Sequence, residues 1–167
     1  HAAMSGLLAG RTALVTGSSR GIGRAVAQRL SAEGATVVVT ARSYRPSASV
    51  RGARAAELPG TIGETVELIE SAGGTAIGIA ADLEDPQQRA GLVDQVLERT
   101  GRIDILVNNA GTTRDTLLMR MSDEDWNLVL DTNLKGAFFC IRAASRPMMR
   151  QRYGRIVNVT SVAGLSG

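Results

Sequence analysis

Val15-Thr16-Gly17-Ser18-Ser19-Arg20-Gly21-Ile22-Gly23 is the stretch on which the reading of the whole chain turns. It follows a short apolar run and opens a segment with helical composition, so it reads as a strand-to-helix turn. Its three glycines permit a tight turn and a close approach of backbone to a ligand. A helix beginning here presents free N–H groups and the positive end of its dipole, which suits a pyrophosphate. Strand, glycine-rich turn and helix in that order are the signature of a dinucleotide-binding unit. The candidate cofactor-binding residues here are Gly17, Ser18, Ser19, Arg20, Gly21, Ile22 and Gly23.

Working outward, apolar runs recur at Ala13-Leu14-Val15, Val37-Val38-Val39, Ala76-Ile77-Gly78-Ile79, Ile103-Asp104-Ile105-Leu106-Val107 and Ile156-Val157-Asn158-Val159. They are nearly continuous rather than alternating, the pattern of strands covered on both faces. Helical segments separate them. Asp85-Pro86 reads as an N-cap with proline in the first helical position, and Gly101 as the stop. Ser122-Asp123-Glu124-Asp125 resembles a capping box opening a long helix, Asp123 to Arg142. Its apolar stripe runs Trp126, Val129, Leu130, Leu134, Ala137, Phe138 and Ile141. This alternation predicts an α/β fold, a doubly wound parallel sheet of Rossmann type in three αβα layers. The stretch Ser43 to Gly60 is long for a connection and reads as a surface insertion or as a flap beside the cofactor.

The end of the second strand discriminates between dinucleotides. An acidic residue there hydrogen-bonds the ribose 2′-hydroxyl of NAD. This chain has Ala41 followed by Arg42. Arg42 and Arg20 are suited to pair with a 2′-phosphate, so the expected cofactor is NADP(H). Asp82-Leu83 ends the third strand and Asn108-Asn109-Ala110-Gly111 the fourth, where ligands bind in such sheets. Asp82, Leu83, Asn109, Ala110 and Gly111 are therefore further cofactor-binding candidates, although Asp82 also reads as an ordinary turn aspartate. Asn133 falls on the apolar stripe, where a buried amide must find partners. Those partners are either backbone groups or a catalytic water. Ser161 lies at the carboxyl end of the fifth strand, facing the same crevice.

Bulk properties narrow the function. The chain has 167 residues, 44% hydrophobic and 21% charged, with a net charge of +3. No apolar run has the length of a membrane span. The cations are almost all arginines spread along the chain, with Lys135 the one lysine, and aromatics are 3% of residues. That distribution argues against a nucleic-acid surface. The sole histidine is His1, so no histidine-based catalysis or metal site is expected; Cys140 has no internal disulfide partner, in keeping with a cytoplasmic setting. His1-Ala2-Ala3 ahead of Met4 reads as a cloning remnant, leaving residues 4–167 as the folded unit.

Thr16-Gly17-x-x-x-Gly21-x-Gly23, Asp82, Asn108-Asn109-Ala110-Gly111, Asn133 and Ser161, in that order, resemble the short-chain dehydrogenase/reductase family. Thr113-Arg114-Asp115, Leu117 to Met121, Asp131-Thr132-Asn133-Leu134, Arg146-Pro147-Met148-Met149 and Ser161-Val162-Ala163-Gly164 look like the 3-oxoacyl-acyl-carrier-protein reductases among them. The stretch from Ser43 to about Gly74 does not share that likeness. The resemblance implies NADPH-dependent reduction of a ketone, with a 3-oxoacyl thioester as the first expected substrate. It makes Ser161 the hydrogen-bond donor to the substrate carbonyl and Asn133 the holder of a water in a proton relay. The family's Tyr-x-x-x-Lys motif falls beyond Gly167, so the chain is expected to be a portion of a longer protein, incomplete on its C-terminal side and inactive by itself. Arg142, Arg146, Arg150, Arg152 and Arg155 read as a patch for an acidic acyl carrier protein or as a solvated helix end. A homotetramer or homodimer is expected, with the long helix at an interface. The alternatives are a reductase of another carbonyl, such as a steroid or small ketone, and a catalytically dead NADP-binding module.

Overall fold

The computed structural model describes residues 6–42, 61–113 and 115–166; the Ser43 to Gly60 connection lies outside them. Five parallel strands form one sheet in the order β3-β2-β1-β4-β5. They are β1 (Thr12–Thr16), β2 (Thr36–Ala41), β3 (Thr75–Ala80), β4 (Ile105–Asn108) and β5 (Arg155–Asn158). Helices α1 (Gly21–Ala32) and α2 (Ile62–Ser71) precede β2 and β3, and α3 (Pro86–Thr100) precedes β4. After β4 come α4 (Asp123–Leu130), a π turn (Asp131–Lys135) and α5 (Gly136–Gln151), with a short α6 (Ala163–Ser166) after β5.

Alternating strand residues feed two cores. Ala13, Val15, Val37, Val39, Ile105 and Val107 pack with Ala27 of α1 and Ile62 and Ile69 of α2. Leu14, Val38, Ile79 and Leu106 pack with Leu92, Val93 and Val96 of α3 and with Cys140, Ala144 and Met148 of α5. The three layers are those expected. Each fully buried valine or leucine contributes about 1.5–3 kcal/mol, which is why the runs of valine and leucine lie in β1, β2 and β4. Burial lifts the Cys140 thiol to about 11, so it stays protonated packing material.

Local signals at helix ends correspond to the structure. The Asp85 carboxylate accepts the N–H groups of Gln87 and Gln88, and Gly101 closes α3 at φ 75°. Ser122 accepts the Asp125 N–H. The fourth strand begins at Ile105 rather than Ile103, because Asp104 turns inward: its side chain is fully buried, accepting from the Thr12 N–H and held by Arg102 and Arg11. Burial alone would raise this carboxyl, but the hydrogen bonds from Arg102, Thr12 and Arg11 outweigh it and hold it below the ordinary carboxylate range. Thereby the start of β4 is tied to the start of β1.

Two expectations are corrected. The strands are not all covered on both faces: β5 is exposed along its length, and the ends of β3 are exposed. Nor is Asp123 to Arg142 one uninterrupted helix. The π turn at Asp131–Lys135 adds a residue's worth of rotation, and the helix continues to Gln151. The face it buries is Thr132, Gly136, Cys140, Ala144 and Met148. Much of the apolar stripe points elsewhere, with Trp126 53%, Leu134 64% and Phe138 53% exposed, while Ile141 packs against the core.

Candidate functional site

In strand order 3-2-1-4-5 the connections leave β1 in opposite directions, so a crevice opens between the carboxyl ends of β1 and β4. The glycine turn and the Asn108–Gly111 segment meet there. Thr16 binds them together: its hydroxyl accepts the N–H groups of Asn109 and Ala110, both at 3.0 Å. Asn109 returns the bond through its amide, donating to the Gly17 carbonyl at 3.1 Å. Gly17 has φ 63° and a Cβ there would lie 2.9 Å from the Ala110 backbone, so only glycine lets the two loops close. A Cβ on Gly23 would strike the Gly17 carbonyl and the Asn109 amide. Gly21 is different. It has φ 58° with nothing within 4 Å of an added Cβ, so this glycine faces open space at the start of α1. A backbone cradle with an open face at a helix N-terminus fits a phosphate group of a dinucleotide.

The other predicted residues divide into those facing the crevice and those spent on structure. Ser18 is fully buried; its hydroxyl donates to the Val15 carbonyl at 2.6 Å and accepts the Thr40 N–H at 3.0 Å. Its side chain therefore fastens the turn to β2 and has no surface to offer a ligand. Leu83 is a core residue whose carbonyl accepts from Arg89 at 3.0 Å. Asp82 is a turn aspartate, accepting the Glu84 N–H at 2.9 Å. Arg20 and Ile22 are exposed on the turn, and Ser19 is half-buried. Arg42, 69% exposed at the end of β2, lies 4.0 Å from Glu84.

Asn133 is corrected in its environment. It is exposed rather than buried, and its amide makes a two-way pair with the Thr112 backbone, accepting N–H at 2.8 Å and donating to C=O at 2.9 Å. The amide is thus bonded to backbone, as one of its two readings expects. The pair holds the π turn against the loop after β4, and Gly111 leaves the needed room, since its Cβ would come 2.9 Å from the Asn133 oxygen. Ser161 lies beyond β5, exposed, its hydroxyl accepting the Ala163 N–H at 3.2 Å. Between these two, Asn108 donates to Asn158 at 2.9 Å across β4 and β5.

Four residues near the crevice escaped the sequence reading. Thr65 and Arg24 grip the glycine turn from α2 and α1, while Thr132 donates to Glu84 at 3.0 Å from the π turn. Thr65 had a detectable signal. It is a polar residue on the stripe Ile62, Thr65, Ile69 that α2 buries. Among the described residues no cluster of His, Cys, Asp and Glu is arranged to hold a metal ion, and no helix is long and apolar enough to cross a membrane.

The short-chain dehydrogenase profile matches residues 11–167, nearly the whole chain. The chain belongs to the short-chain dehydrogenase family. Within that family, it is 46% identical over 160 residues to a 3-oxoacyl-[acyl-carrier-protein] reductase of Synechocystis, covering 96% of this chain and 59% of the relative. It is 42% identical over 158 residues to the reductase FabG of Escherichia coli K12, covering 95% and 57%. The chain thus spans less than two thirds of the length of these curated relatives. A metagenomic short-chain oxidoreductase solved in complex with NADP superimposes with a TM-score of 0.82 at 35% identity, over 96% of this chain and 66% of that one.

Proposed function

We propose that the protein to which these residues belong reduces a ketone to an alcohol with NADPH, and that its substrate is a 3-oxoacyl thioester on acyl carrier protein. The observation that carries the cofactor half is the open glycine cradle beside a β2 that ends in Ala41-Arg42 instead of a carboxylate. Arg42 and Arg20, both exposed at this end of the sheet, supply the charge to receive a 2′-phosphate. Gly17, Ser19, Arg20, Gly21, Ile22 and Gly23 would line the dinucleotide's phosphates, and Asp82, Asn109, Ala110 and Gly111 would border the crevice beyond them. The bound cofactor supplies a hydride to the carbonyl carbon. Ser161 donates a hydrogen bond to the carbonyl oxygen. Asn133, tied to Thr112 through one amide hydrogen and one lone-pair direction, keeps the second of each for a water. The proton that completes the alcohol is assigned to the tyrosine of the family's Tyr-x-x-x-Lys motif, as the resemblance implies.

The substrate class is supported by the names of the relatives at 46% and 42% identity. Arg142, Arg146 and Arg150, exposed on successive turns of α5, give an acidic carrier a surface to meet. Arg142 also stacks on the Phe138 and Phe139 rings at 5.5 and 4.6 Å, which fixes its charge in place. The uncovered stripe of Trp126, Leu134 and Phe138 supports a homo-oligomer built on α4 and α5.

The test uses the complete protein and NADPH, following nicotinamide absorbance with one acyl group carried by acyl carrier protein or by coenzyme A. A higher kcat/KM for the carrier thioester, by about tenfold or more, is expected for docking through exposed charges. Equal values would discard the arginine surface, and no turnover of either would discard the substrate class.

A further inference from the structure

The peptide groups of the glycine turn are held from behind. The Thr65 hydroxyl, fully buried on α2, shares its one proton between the carbonyls of Ser18 and Ser19, at 3.0 and 3.2 Å. Arg24, one turn into α1, reaches the Ser19 carbonyl through both Nε at 3.1 Å and Nη2 at 2.6 Å. The two grips are joined, because Arg24 Nε also donates to the Thr65 hydroxyl at 2.9 Å. Glu64 completes the group, accepting from Arg24 Nη2 at 3.0 Å. On the other side the turn is fixed to β2 by the Ser18 N–H donating to Thr40 at 3.0 Å.

We infer that Thr65 and Arg24 are positioning residues for dinucleotide binding: by holding the Ser18 and Ser19 carbonyls against α2, they aim the N–H groups of Ser19 and Arg20 into the crevice. The reason is the planar trans peptide, in which C=O and N–H point in opposite directions. Pinning the carbonyl of residue 18 fixes the N–H of residue 19, and pinning that of residue 19 fixes the N–H of residue 20. Among the described residues no acceptor takes either of these two N–H groups. Two parallel donors next to the first turn of a helix form a concavity for an anion. Without the latch, each peptide is free to rotate and present its carbonyl to the phosphate. The latch also makes α2 part of the binding apparatus, although it lies on the far side of the turn from the ligand. Buried between Ile62 and Ile69, a hydroxyl with no such duty would be a cost to α2.

This inference rests on the turn being the dinucleotide site. The experiment is a calorimetric titration of the complete protein with NADPH and with NADH. For Thr65→Val both dissociation constants are expected to rise by about tenfold and by the same factor, the loss of one charge-assisted hydrogen bond. Thr65→Ser, which restores the hydroxyl, is expected to return both to within about twofold of the parent. Arg24→Lys, which has no fork to share between Ser19 and Thr65, provides a second variant if Thr65→Val does not fold, with the same direction expected. Unchanged dissociation constants in Thr65→Val, or in Arg24→Lys where that is the variant measured, would overturn the latch. So would a KM for the ketone that rises in step with them, since that marks general loosening. A parent protein that binds neither dinucleotide would instead overturn the reading of the turn itself.

Discussion

The two halves of the sheet's carboxyl edge differ in how completely they are built from their own chain. Around β1 and β2 most polar side chains at the turn have an internal duty: Thr16 and Asn109 join two loops, Ser18 binds β2, and Thr65 and Arg24 hold the carbonyls, while Arg20 stays exposed. Around β5 the edge strand is exposed, Ser161 is exposed, and the helix before it turns Trp126, Leu134 and Phe138 outward. The first region is preorganised, with donors already aimed and glycines already in the conformations they need. The second leaves large apolar side chains exposed. The proposed dinucleotide site is therefore more fully preorganised than the proposed ketone site.

The sharpest way to break that comparison is at Gly23. Gly23→Val puts atoms where the Gly17 carbonyl and the Asn109 amide already stand. Dinucleotide affinity is expected to fall by more than about a hundredfold, with about 1–3 kcal/mol of stability lost to overpacking. Affinity within a few-fold of the parent would mean that the turn is softer than its contacts imply.

Asp104 tests whether the preorganised half also depends on the fold's ties at the opposite end of β1. Asp104→Ala leaves the buried Thr12 N–H without its acceptor and two arginines without their partner, and is expected to cost about 3 kcal/mol in denaturant unfolding. The pH dependence has a definite sign. A carboxyl held below its unfolded value contributes fully above about pH 4, and the contribution is withdrawn as pH falls from there through the folded value. An acid unfolding curve identical in parent and Asp104→Ala would contradict this assignment.

The smallest effect belongs to the open half. Phe138→Ser removes a ring that the folded chain leaves half exposed, so its cost is expected to be within about 0.5 kcal/mol for the monomer. A cost that grows with protein concentration would instead show the stripe covered by a second copy, and light scattering would report that assembly directly.

Legibility in the sequence follows the same division. The turn, the caps at Asp85 and Ser122 and the three-layer sheet are local or periodic features, so residue order reveals them. The direction of the long helix was not legible, because a π turn changes the phase of the stripe without leaving a distinct residue pattern. Asn133 is a polar residue on an apolar stripe, yet it is exposed and its partners are backbone groups of Thr112. The same signal, a polar residue on an apolar stripe, marks Thr65 on α2. The motif gives the position of Ser18 but not the direction of its side chain, which is buried. Glu84 and Thr132 meet only through tertiary structure, 48 residues apart in sequence.

The most direct test of the central claim, that the turn beginning at Thr16 receives NADP(H), is the ratio of NADPH to NADH affinity in the complete protein and in Arg42→Ala. A 2′-phosphate paired with Arg42 predicts that NADPH binding weakens by about tenfold or more, while NADH binding changes by less than about twofold. Equal weakening of both cofactors, or of neither, would contradict it.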